Sequence, residues 1–371
     1  MKNLNPKNNA LTLLLGGALC VTVIATPATA QMTGNAAITA ALRADRASER
    51  PTSQMKAVLN QLTALKPKPL EKLTPRQARQ QPSPASAAKE LLKKRNIPFP
   101  EDVGSVQDRV LPTALRPIRV RIYRPKNAPC GRLPVLMYFH GGGFVIASIS
   151  TYDASCRALA NATGAMVVAV RYRQAPEHRL PAAHEDSYAA TQYVMNNAAS
   201  MGGDPRRVAV CGESAGGNLA TSVCLLARER KGLMPIHQAL VYPYVDMTSA
   251  GLQAPSMREN AKAKPLSRAG VAWFNRWALP SPAAARNPFI SPLVSANVRG
   301  LPPATVVLAE IDPLRSQGAA YAQKLQRAGV PVRVNYYTGV THEFFGMAAL
   351  VPEAKQAVNF VANNLKAAFT R

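Results

Sequence analysis

Four short parts of the sequence carry residue types that together could cleave an acyl bond. They are GESAG at residues 212–216, HGGGF at residues 140–144, Asp312 and His342. A serine hydroxyl is a weak nucleophile at neutral pH and becomes reactive when a histidine takes its proton. A carboxylate holds that histidine in the required tautomer, and backbone N–H groups stabilise the oxyanion that forms. These residues would form a catalytic centre only if the surrounding elements bring them to one point.

The serine lies where an apolar run changes abruptly to small residues. RVAV precedes CGESAGG and predicts a strand, and NLATSVCLLARER follows it and predicts a helix. A strand that reverses into a helix within a few residues presents Ser214 at a sharp, strained turn, and Gly212 and Gly216 make room for neighbouring backbone. Free N–H groups of the helix start then point at the site. Taken alone, the pattern also fits a glycine-rich turn with a surface serine.

Five histidines are available as the base. The chain order serine, acid, histidine leaves His237 and His342 downstream of Ser214. His237 begins a predicted strand and would face the core or a neighbouring helix, whereas His342 follows the last predicted strand in a loop. We therefore predict that His342 is the base.

The acid should lie between them, in a loop that follows a strand. In VVLAEIDPLRSQG, Asp312 comes just after the apolar run, and Pro313 ends that run. Glu310 is the competing carboxylate, but alternation along the strand would point its side chain in another direction. We predict that Asp312 is the acid.

The glycines after His140 suit an oxyanion hole. They follow the predicted strand PVLMYF, and without side chains they let backbone N–H groups approach a carbonyl oxygen. We predict that Gly141, Gly142 and Ala215 supply the donors. The alternative is a flexible glycine turn, which becomes improbable when both glycine motifs follow strands.

The elements that must hold these residues alternate between strands and helices. Short apolar runs read PVLMYF, AMVVAV, RVAVC, QALVYP, ATVVLAE and VRVNYY, with helical segments such as YDASCRALANAT between them. This pattern predicts a mostly parallel sheet with helices on both faces. PIRVRIYRP alternates as a half-buried strand, and SVQDRVL is its predicted hairpin partner.

A long interruption separates VYPYVD from ATVVLAE and contains ENAKAKPLSRAGVAWFNRWAL, which we predict to be helical and amphipathic. Such an insertion would lie over the strand ends, where sheets of this type bind ligands. Trp273, Phe274 and Trp277 fit an acyl pocket and plain core packing equally well. Arg173, Glu177 and Asp186 lie close in sequence, and we predict a buried ion-pair network.

The N-terminal residues indicate export. Residues 1–30 combine Lys2 and Lys7, an apolar stretch and a small-residue ATA site before Gln31, which predicts a signal peptide rather than a retained anchor. We expect a periplasmic or extracellular protein. Residues 31 to about 51 suggest a loose lead-in. SQMKAVLNQLTAL, TPRQARQ with Thr74 as N-cap, and SAAKELLKKR predict helices up to residue 104.

The charge is strongly positive: 45 Lys and Arg against 20 Asp and Glu give +25. The basic residues are dispersed and no nucleic-acid motif is present, so nucleic-acid binding is not expected, whereas attraction to an anionic envelope surface stays open. The four cysteines after the leader lack metal-site spacing, so neither a metal nor a cofactor is expected. A disulfide is left open, although Cys211 and Cys224 fit buried small apolar residues.

Several longer motifs of the sequence resemble those of a known family. HGGGF, YRQAPEHRLPAA, GGDPRRVAVCGESAGGNLA, VYPYVD, NPFISPL, LPPATVVLAEIDPLRSQGAAYAQKLQRAGVPV and THEFF together resemble the bacterial hormone-sensitive-lipase-like esterases of the α/β-hydrolase superfamily. The resemblance implies an eight-stranded, mostly parallel sheet with a helical cap from residues 52–104 and 246–285. It also implies a triad of Ser214, Asp312 and His342 that hydrolyses short- to medium-chain acyl esters without a cofactor.

The predicted organisation is therefore a signal peptide (1–30), a lead-in with cap helices (31–104) and a catalytic domain (105–371). Glu213 and Arg171 depart from the residues common in that family, and the departure at Glu213 bears on pH response and substrate preference. A small-molecule ester is the expected partner. Hydrolysis of amides, lactones or acetylated sugars by the same triad is an alternative. A non-catalytic ligand-binding homologue is another, but it would be expected to lack a triad member, and none is missing.

Overall fold

The computed structural model of the protein describes residues 32–42 and 51–370, so the predicted signal peptide lies outside the described residues. Its central feature is one sheet in the order β1-β9-β8-β7-β6-β4-β5-β3-β2. The strands are β1 (Met32–Thr33), β2 (Ser105–Pro112), β3 (Pro117–Arg124), β4 (Leu133–Phe139), β5 (Met166–Val170), β6 (Gly203–Glu213), β7 (Gln238–Val241), β8 (Ala304–Ile311) and β9 (Val332–Thr341).

The strands β4 to β9 run parallel, and β2, β3 and β1 are antiparallel to their neighbours. The predicted mostly parallel sheet of eight strands is confirmed in β2 to β9, with the two-residue β1 as an addition at one edge. The predicted hairpin is also confirmed, because β2 pairs with β3 along its whole length. Tyr123 in β3 departs from the predicted alternation: it is buried, and its hydroxyl donates to Asp153.

Helices cover both faces of the sheet, as predicted. Successive residues of β4 point to opposite faces of the sheet and enter two separate apolar clusters. Helices α6, α7 and α11 contribute side chains to one cluster, and α5 and α12 contribute to the other. The helices are α1 (Gly34–Leu42), α2 (Ser53–Ala64), α3 (Pro75–Ala78), α4 (Pro84–Lys94), α5 (Asp153–Thr163), α6 (Ala182–Asn197), α7 (Ala215–Glu229), α8 (Pro255–Glu259), α9 (Arg268–Ala278), α10 (Pro292–Ser295), α11 (Arg315–Arg327) and α12 (Pro352–Phe369).

The N-terminal helices have the local signals that the sequence offers. Met55, Val58 and Leu62 form the buried stripe of α2. Thr74 caps α3 in a capping box, as predicted, with Pro75 in the first helical position. The predicted loose lead-in is wrong for residues 32–42: β1 pairs with β9, and α1 buries three apolar residues against α11. The remaining lead-in residues, 43–50, lie outside the described part.

The N-terminal segment and the long insertion meet over the sheet. Trp273 in α9 donates from its indole nitrogen to the carbonyl oxygen of Leu73 at 2.9 Å, and both side chains are buried. The insertion is helical over α8 and α9, but residues 260–267 between them form turns and irregular structure, so the predicted helix is only partly right. The boundaries of the predicted cap, residues 52–104 and 246–285, stay a prediction.

The four described cysteines are free thiols. Cys130 is exposed, while Cys156, Cys211 and Cys224 are buried, which confirms that Cys211 and Cys224 serve as small apolar residues. No helix in the described ranges combines the length and the apolar content that a membrane crossing requires.

Candidate active site

Ser214 sits at the sharp turn that the sequence predicts. It follows β6 and precedes α7, and its backbone is strained at φ 57° and ψ −117°. A Cβ on Gly212 would stand 2.1 Å from the Gly216 carbonyl oxygen, and a Cβ on Gly216 would stand 1.9 Å from that of Phe139. Only glycine fits at either position, so the small residues have a steric reason.

Ser214, His342 and Asp312 lie in one hydrogen-bonded row. The Ser214 Oγ is 2.9 Å from the His342 Nε2, and the His342 Nδ1 is 2.8 Å from the Asp312 Oδ2. Asp312 follows β8 and His342 follows β9, so the three side chains meet at the edge of the sheet where the parallel strands end. The arrangement allows Nε2 to take the serine proton while the His342 Nδ1–H stays on the ring and donates its hydrogen bond to the Asp312 carboxylate.

The carboxylate of Asp312 also fixes its own loop. It is fully buried, and its Oδ1 accepts from the Leu314 backbone N–H at 2.8 Å. The competing Glu310 points elsewhere, because its Oε2 accepts from the Gly339 backbone N–H at 2.6 Å. His237 is equally remote from the site, since its Nε2 contacts the Thr305 hydroxyl at 2.9 Å.

The charge environment favours a protonated His342. Burial lowers the pKa of the imidazole, but the charge and hydrogen bond of Asp312, with the Glu343 and Glu213 carboxylates, outweigh that effect and raise the pKa above its ordinary 6.5. A base with a raised pKa is a stronger proton acceptor in the reaction. The imidazolium that forms is stabilised by the same carboxylates.

The glycine loop follows β4 at the same edge of the sheet. Gly142 and Gly143 have φ values of 95° and 58°, which glycine adopts without strain. In the described residues, the N–H groups of Gly141 and Gly142 have no hydrogen-bond acceptor. Ala215 begins α7, so its N–H is one of the free donors at a helix start. The three predicted donors are thus N–H groups that no acceptor occupies in the described residues, in two segments that follow β4 and β6.

The Tyr152 side chain packs against this glycine loop. An ideal Cβ on Gly141 would stand 2.3 Å from the Tyr152 hydroxyl oxygen, so the tyrosine presses directly against the loop. The same hydroxyl donates to the Glu343 Oε1 at 2.7 Å. The residue beside His342 is thereby linked to the glycine loop.

Glu213 precedes the proposed nucleophile in the chain, and the structure gives it a role that could not be assigned from the sequence. Its carboxylate is buried and accepts hydrogen bonds from the hydroxyls of Tyr138 and Tyr242. The Tyr242 ring contacts the His342 ring at a centroid distance of 4.6 Å. Glu213 therefore fixes an aromatic side chain against the imidazole.

Glu213 is also ionised with difficulty. Burial raises its pKa to about 7, and the charge of Glu343 adds to the increase, although hydrogen bonds from Ser155 and the two tyrosine hydroxyls act in the opposite direction. Burial likewise raises the pKa of Glu343, against the lowering influence of His342 and Tyr152. Two carboxyl groups thus lie beside the row of Ser214 and His342 without a lysine or arginine partner among the described residues.

The predicted ion-pair network is only partly right. Asp186 is fully buried and binds the Arg173 side chain at 2.8 Å and the Arg116 side chain at 3.2 Å. Glu177 does not join it, because it pairs with Arg79 at the surface. The network is therefore centred on Asp186.

The aromatic residues of α9 pack in the core and also meet the glycine loop. Trp273 and Phe274 are buried, and Trp277 is partly buried against Trp273. An ideal Cβ on Gly143 would stand 2.2 Å from the Phe274 ring, so Phe274 lies directly on this glycine. The structure therefore shows the core packing that the sequence offered, with Phe274 in contact with the glycine loop.

Three residues of the site were missed in the sequence. Tyr152, Tyr242 and Glu343 surround the proposed catalytic row, yet none lies in a glycine motif. The motifs VYPYVD and THEFF contain two of them and were the available signal. Within residues 32–42 and 51–370, no three His, Cys, Asp or Glu side chains cluster so as to hold a metal ion.

Known proteins share this arrangement of elements. A family profile described as alpha/beta hydrolase fold matches residues 136–346. Esterase LipI of Mycobacterium tuberculosis (strain ATCC 25618 / H37Rv) is 41% identical over 249 residues, which are 66% of this chain and 76% of that protein. The ethyl acetate hydrolase of Pseudomonas putida is 36% identical over 67% of this chain and 77% of its own length. A solved esterase from Pyrobaculum calidifontis is 37% identical with a TM-score of 0.76, covering 85% of this chain and 98% of that chain.

Proposed function

The chain belongs to the hormone-sensitive-lipase-like esterases of the α/β-hydrolase superfamily, and on this premise we propose that it cleaves short- to medium-chain acyl esters through Ser214, His342 and Asp312. It is an ester hydrolase, as its esterase relatives and structural neighbours indicate. The single observation that carries the proposed triad is the row of two hydrogen bonds, 2.9 Å and 2.8 Å long, that joins the three side chains.

In the proposed acylation, the Ser214 Oγ attacks the ester carbonyl carbon while the His342 Nε2 takes its proton. The carbonyl oxygen becomes an oxyanion and accepts hydrogen bonds from the N–H groups of Gly141, Gly142 and Ala215. The bond to the alcohol oxygen then breaks, and Nε2 returns its proton to that oxygen. An acyl-serine remains.

In the deacylation, water takes the place of the alcohol. Nε2 accepts a proton from the water as its oxygen attacks the acyl carbon, and the second oxyanion uses the same three donors. Collapse of this intermediate returns the proton to Ser214 and releases the acid. No step requires a cofactor, because the proton and the two oxyanions are handled by groups of the chain itself.

A comparison of two serine variants tests the triad. We expect Ser214→Ala to lower hydrolysis of p-nitrophenyl butyrate by ~10⁴-fold or more and to abolish labelling by a fluorophosphonate probe. Ser281→Ala is the matched control, since Ser281 is exposed and makes no capping hydrogen bond. Full activity of the Ser214→Ala protein would refute the proposal. Absence of any probe adduct on the wild-type protein would favour the ligand-binding alternative.

The preference for short to medium acyl chains rests on the aromatic side chains over the glycine loop. Phe274 lies on Gly143, and Trp273 behind it is held by its bond to Leu73. These bulky, buried side chains limit the space next to the oxyanion donors. A p-nitrophenyl ester series from acetate to palmitate tests this: kcat/KM should peak at short to medium chains, and a maximum at palmitate would contradict it.

We also propose that the protein is exported. The support is the basic start, apolar stretch and small-residue site of residues 1–30. The charge of +25 favours additional attraction to anionic envelope surfaces. N-terminal sequencing of the expressed protein should begin at Gln31, and salt should release the bound fraction from membranes. A retained Met1 in the cytosolic fraction would overturn the proposed export.

A further inference from the structure

Glu343 occupies an unusual position beside the proposed base. It directly follows His342 and has a φ of 71°, a backbone conformation that glycine adopts most easily. Its Oε1 lies 3.8 Å from the His342 Nε2 and accepts the hydrogen bond from Tyr152. A strained backbone that places a carboxylate next to a reacting nitrogen points to a use for that carboxylate.

The proposed reaction indicates which part of the substrate comes close to Glu343. In acylation, the bond between the acyl carbon and the alcohol oxygen breaks, and that oxygen takes the proton from Nε2. The leaving oxygen must therefore come within hydrogen-bond distance of Nε2. A carboxylate oxygen 3.8 Å from the same nitrogen lies beside the departing alcohol.

A cavity of about 580 Å³ extends from this carboxylate. Glu213, Glu343, Tyr152 and Ser155 are among its lining residues, together with basic side chains such as that of Arg121. The Ser155 hydroxyl is buried beside the Glu213 carboxyl group, and its hydrogen bond lowers the pKa of that group. Two carboxyl groups thus line the cavity, and because Glu213 is already bonded to two tyrosine hydroxyls, Glu343 is the one that an entering group would meet.

These groups discriminate between kinds of alcohol. A purely alkyl leaving group would remove water from the carboxylates and replace none of its hydrogen bonds, which is costly. An alcohol with a further hydroxyl would donate to Glu343 in place of that water. Sites built to bind a substrate hydroxyl reject the analogue that lacks it.

We propose that Glu343 and this cavity form the leaving-group subsite and select esters of alcohols that carry a second hydroxyl near the ester, that is, monoesters of diols and polyols. This inference rests on the proposed ester hydrolysis at Ser214. Glu343 is a specificity-determining residue in this scheme, and Tyr152 is the residue that aims it. The acyl part of the substrate is not involved.

Two butyrate esters measure the preference. 2,3-Dihydroxypropyl butyrate and pentyl butyrate share the acyl group and have alcohols of equal size, so the ratio of their kcat/KM values reports the alcohol alone. We expect the wild-type ratio to favour the dihydroxy ester by about tenfold or more, since a hydrogen bond to a charged group is worth at least that factor. Glu343→Gln should reduce the ratio toward one, and Tyr152→Phe should reduce it in part.

A second variant guards against misfolding. Glu343→Gly removes the carboxylate and suits the positive φ, so it should fold and should also reduce the ratio toward one. Glu71→Gln, an exposed carboxylate outside the cavity, should keep the wild-type ratio. Fluorophosphonate titration gives the concentration of reactive serine for each protein.

The outcomes separate this inference from the function beneath it. If the wild type hydrolyses neither ester and binds no fluorophosphonate, the proposed hydrolysis itself fails. If it hydrolyses both esters with similar kcat/KM values, or if the ratio survives in both Glu343 variants, only the subsite is wrong. A preference for butyrylcholine over its neutral analogue 3,3-dimethylbutyl butyrate, with no preference for the dihydroxy ester, would also overturn the inference. The cavity would then select a positively charged alcohol and not a second hydroxyl group.

Discussion

The Tyr138 hydroxyl donates a 2.5 Å hydrogen bond to Glu213, the residue that precedes the proposed nucleophile. Tyr242 donates to the other carboxylate oxygen. The carboxylate therefore joins three neighbouring strand ends, because Tyr138 lies in β4, Glu213 in β6, and Tyr242 follows β7. This buried acid therefore holds together the strand ends that carry the site.

Glu213 should make stability depend on pH. Its folded pKa of about 7 lies above the ordinary 4.5, so its contribution to stability is complete below pH 4.5 and is lost as the pH rises through about 7. Glu213→Gln cannot ionise and can keep both tyrosine contacts. Between pH 4.5 and 8, we expect the free energy of unfolding of the wild type to fall relative to that of the variant by at most about 3 kcal/mol. Urea titrations at several pH values measure this, and a parallel course of the two proteins would contradict it.

Asp312 and Glu310 offer a direct comparison of two carboxylates. Asp312→Asn keeps the shape but favours the wrong imidazole tautomer, so kcat should fall by ~10⁴-fold. Glu310→Gln should retain kcat near that of the wild type, because Glu310 accepts from the Gly339 N–H and does not contact His342. Steady-state kinetics with p-nitrophenyl butyrate decide the matter. A larger loss in Glu310→Gln than in Asp312→Asn would exchange the two assignments.

The pH profile of kcat/KM should report the carboxylates around His342. The reaction needs neutral His342, whose pKa is raised above 6.5, so the wild-type rate should fall on acidification through a value above 6.5. Glu343 contributes to that increase, and Glu343→Gln removes its charge. We expect the acid limb of the variant to move down by up to about one pH unit. An unchanged or higher limb would show that Glu343 does not act on His342.

Gly216 tests the steric basis of the turn. A Cβ there would stand 1.9 Å from the Phe139 carbonyl oxygen, which belongs to the strand before the glycine loop. Gly216→Ala should cost about 3 kcal/mol or more of stability and most of the activity. Gly270→Ala in α9 meets nothing closer than 3.4 Å and should be neutral or stabilising by up to about 1 kcal/mol. Thermal denaturation compares the two, and similar melting temperatures would refute the steric argument.

The sheet and the hydrogen-bonded row of Ser214, His342 and Asp312 could be predicted because their signals are local. Each parallel strand is buried on both faces and is therefore a continuous apolar run, as in the fully buried MVVAV of β5. Ser214, Asp312 and His342 each follow such a run directly. Once the strands are placed side by side, their ends can meet only at one edge of the sheet.

The residues that the sequence did not reveal depend on contacts between distant segments. Tyr152 and Glu343 are 191 positions apart, and Glu343 adopts a positive φ where it meets Tyr152. A positive φ can be expected from the sequence at a glycine, but not at a glutamate. The Glu213 environment likewise needs tyrosines from two other segments. Helix α1 was missed for another reason: GNAAITAAL is almost uniformly small and apolar, so it shows little amphipathic pattern.

Two ion pairs of the catalytic domain and cap segment, one buried and one exposed, should differ greatly in their contribution to stability. Asp186 is fully buried between Arg173 and Arg116, so Asp186→Asn leaves two guanidinium groups without their carboxylate and should cost about 3 kcal/mol. Glu177 pairs with Arg79 at 2.7 Å, but its side chain is 55% exposed, and water and salt screen the interaction. Glu177→Gln should therefore cost less than about 1 kcal/mol. Urea denaturation at low and high salt separates the two: added salt should erase the smaller loss and leave the larger, and equal losses would mean that burial does not govern these pairs.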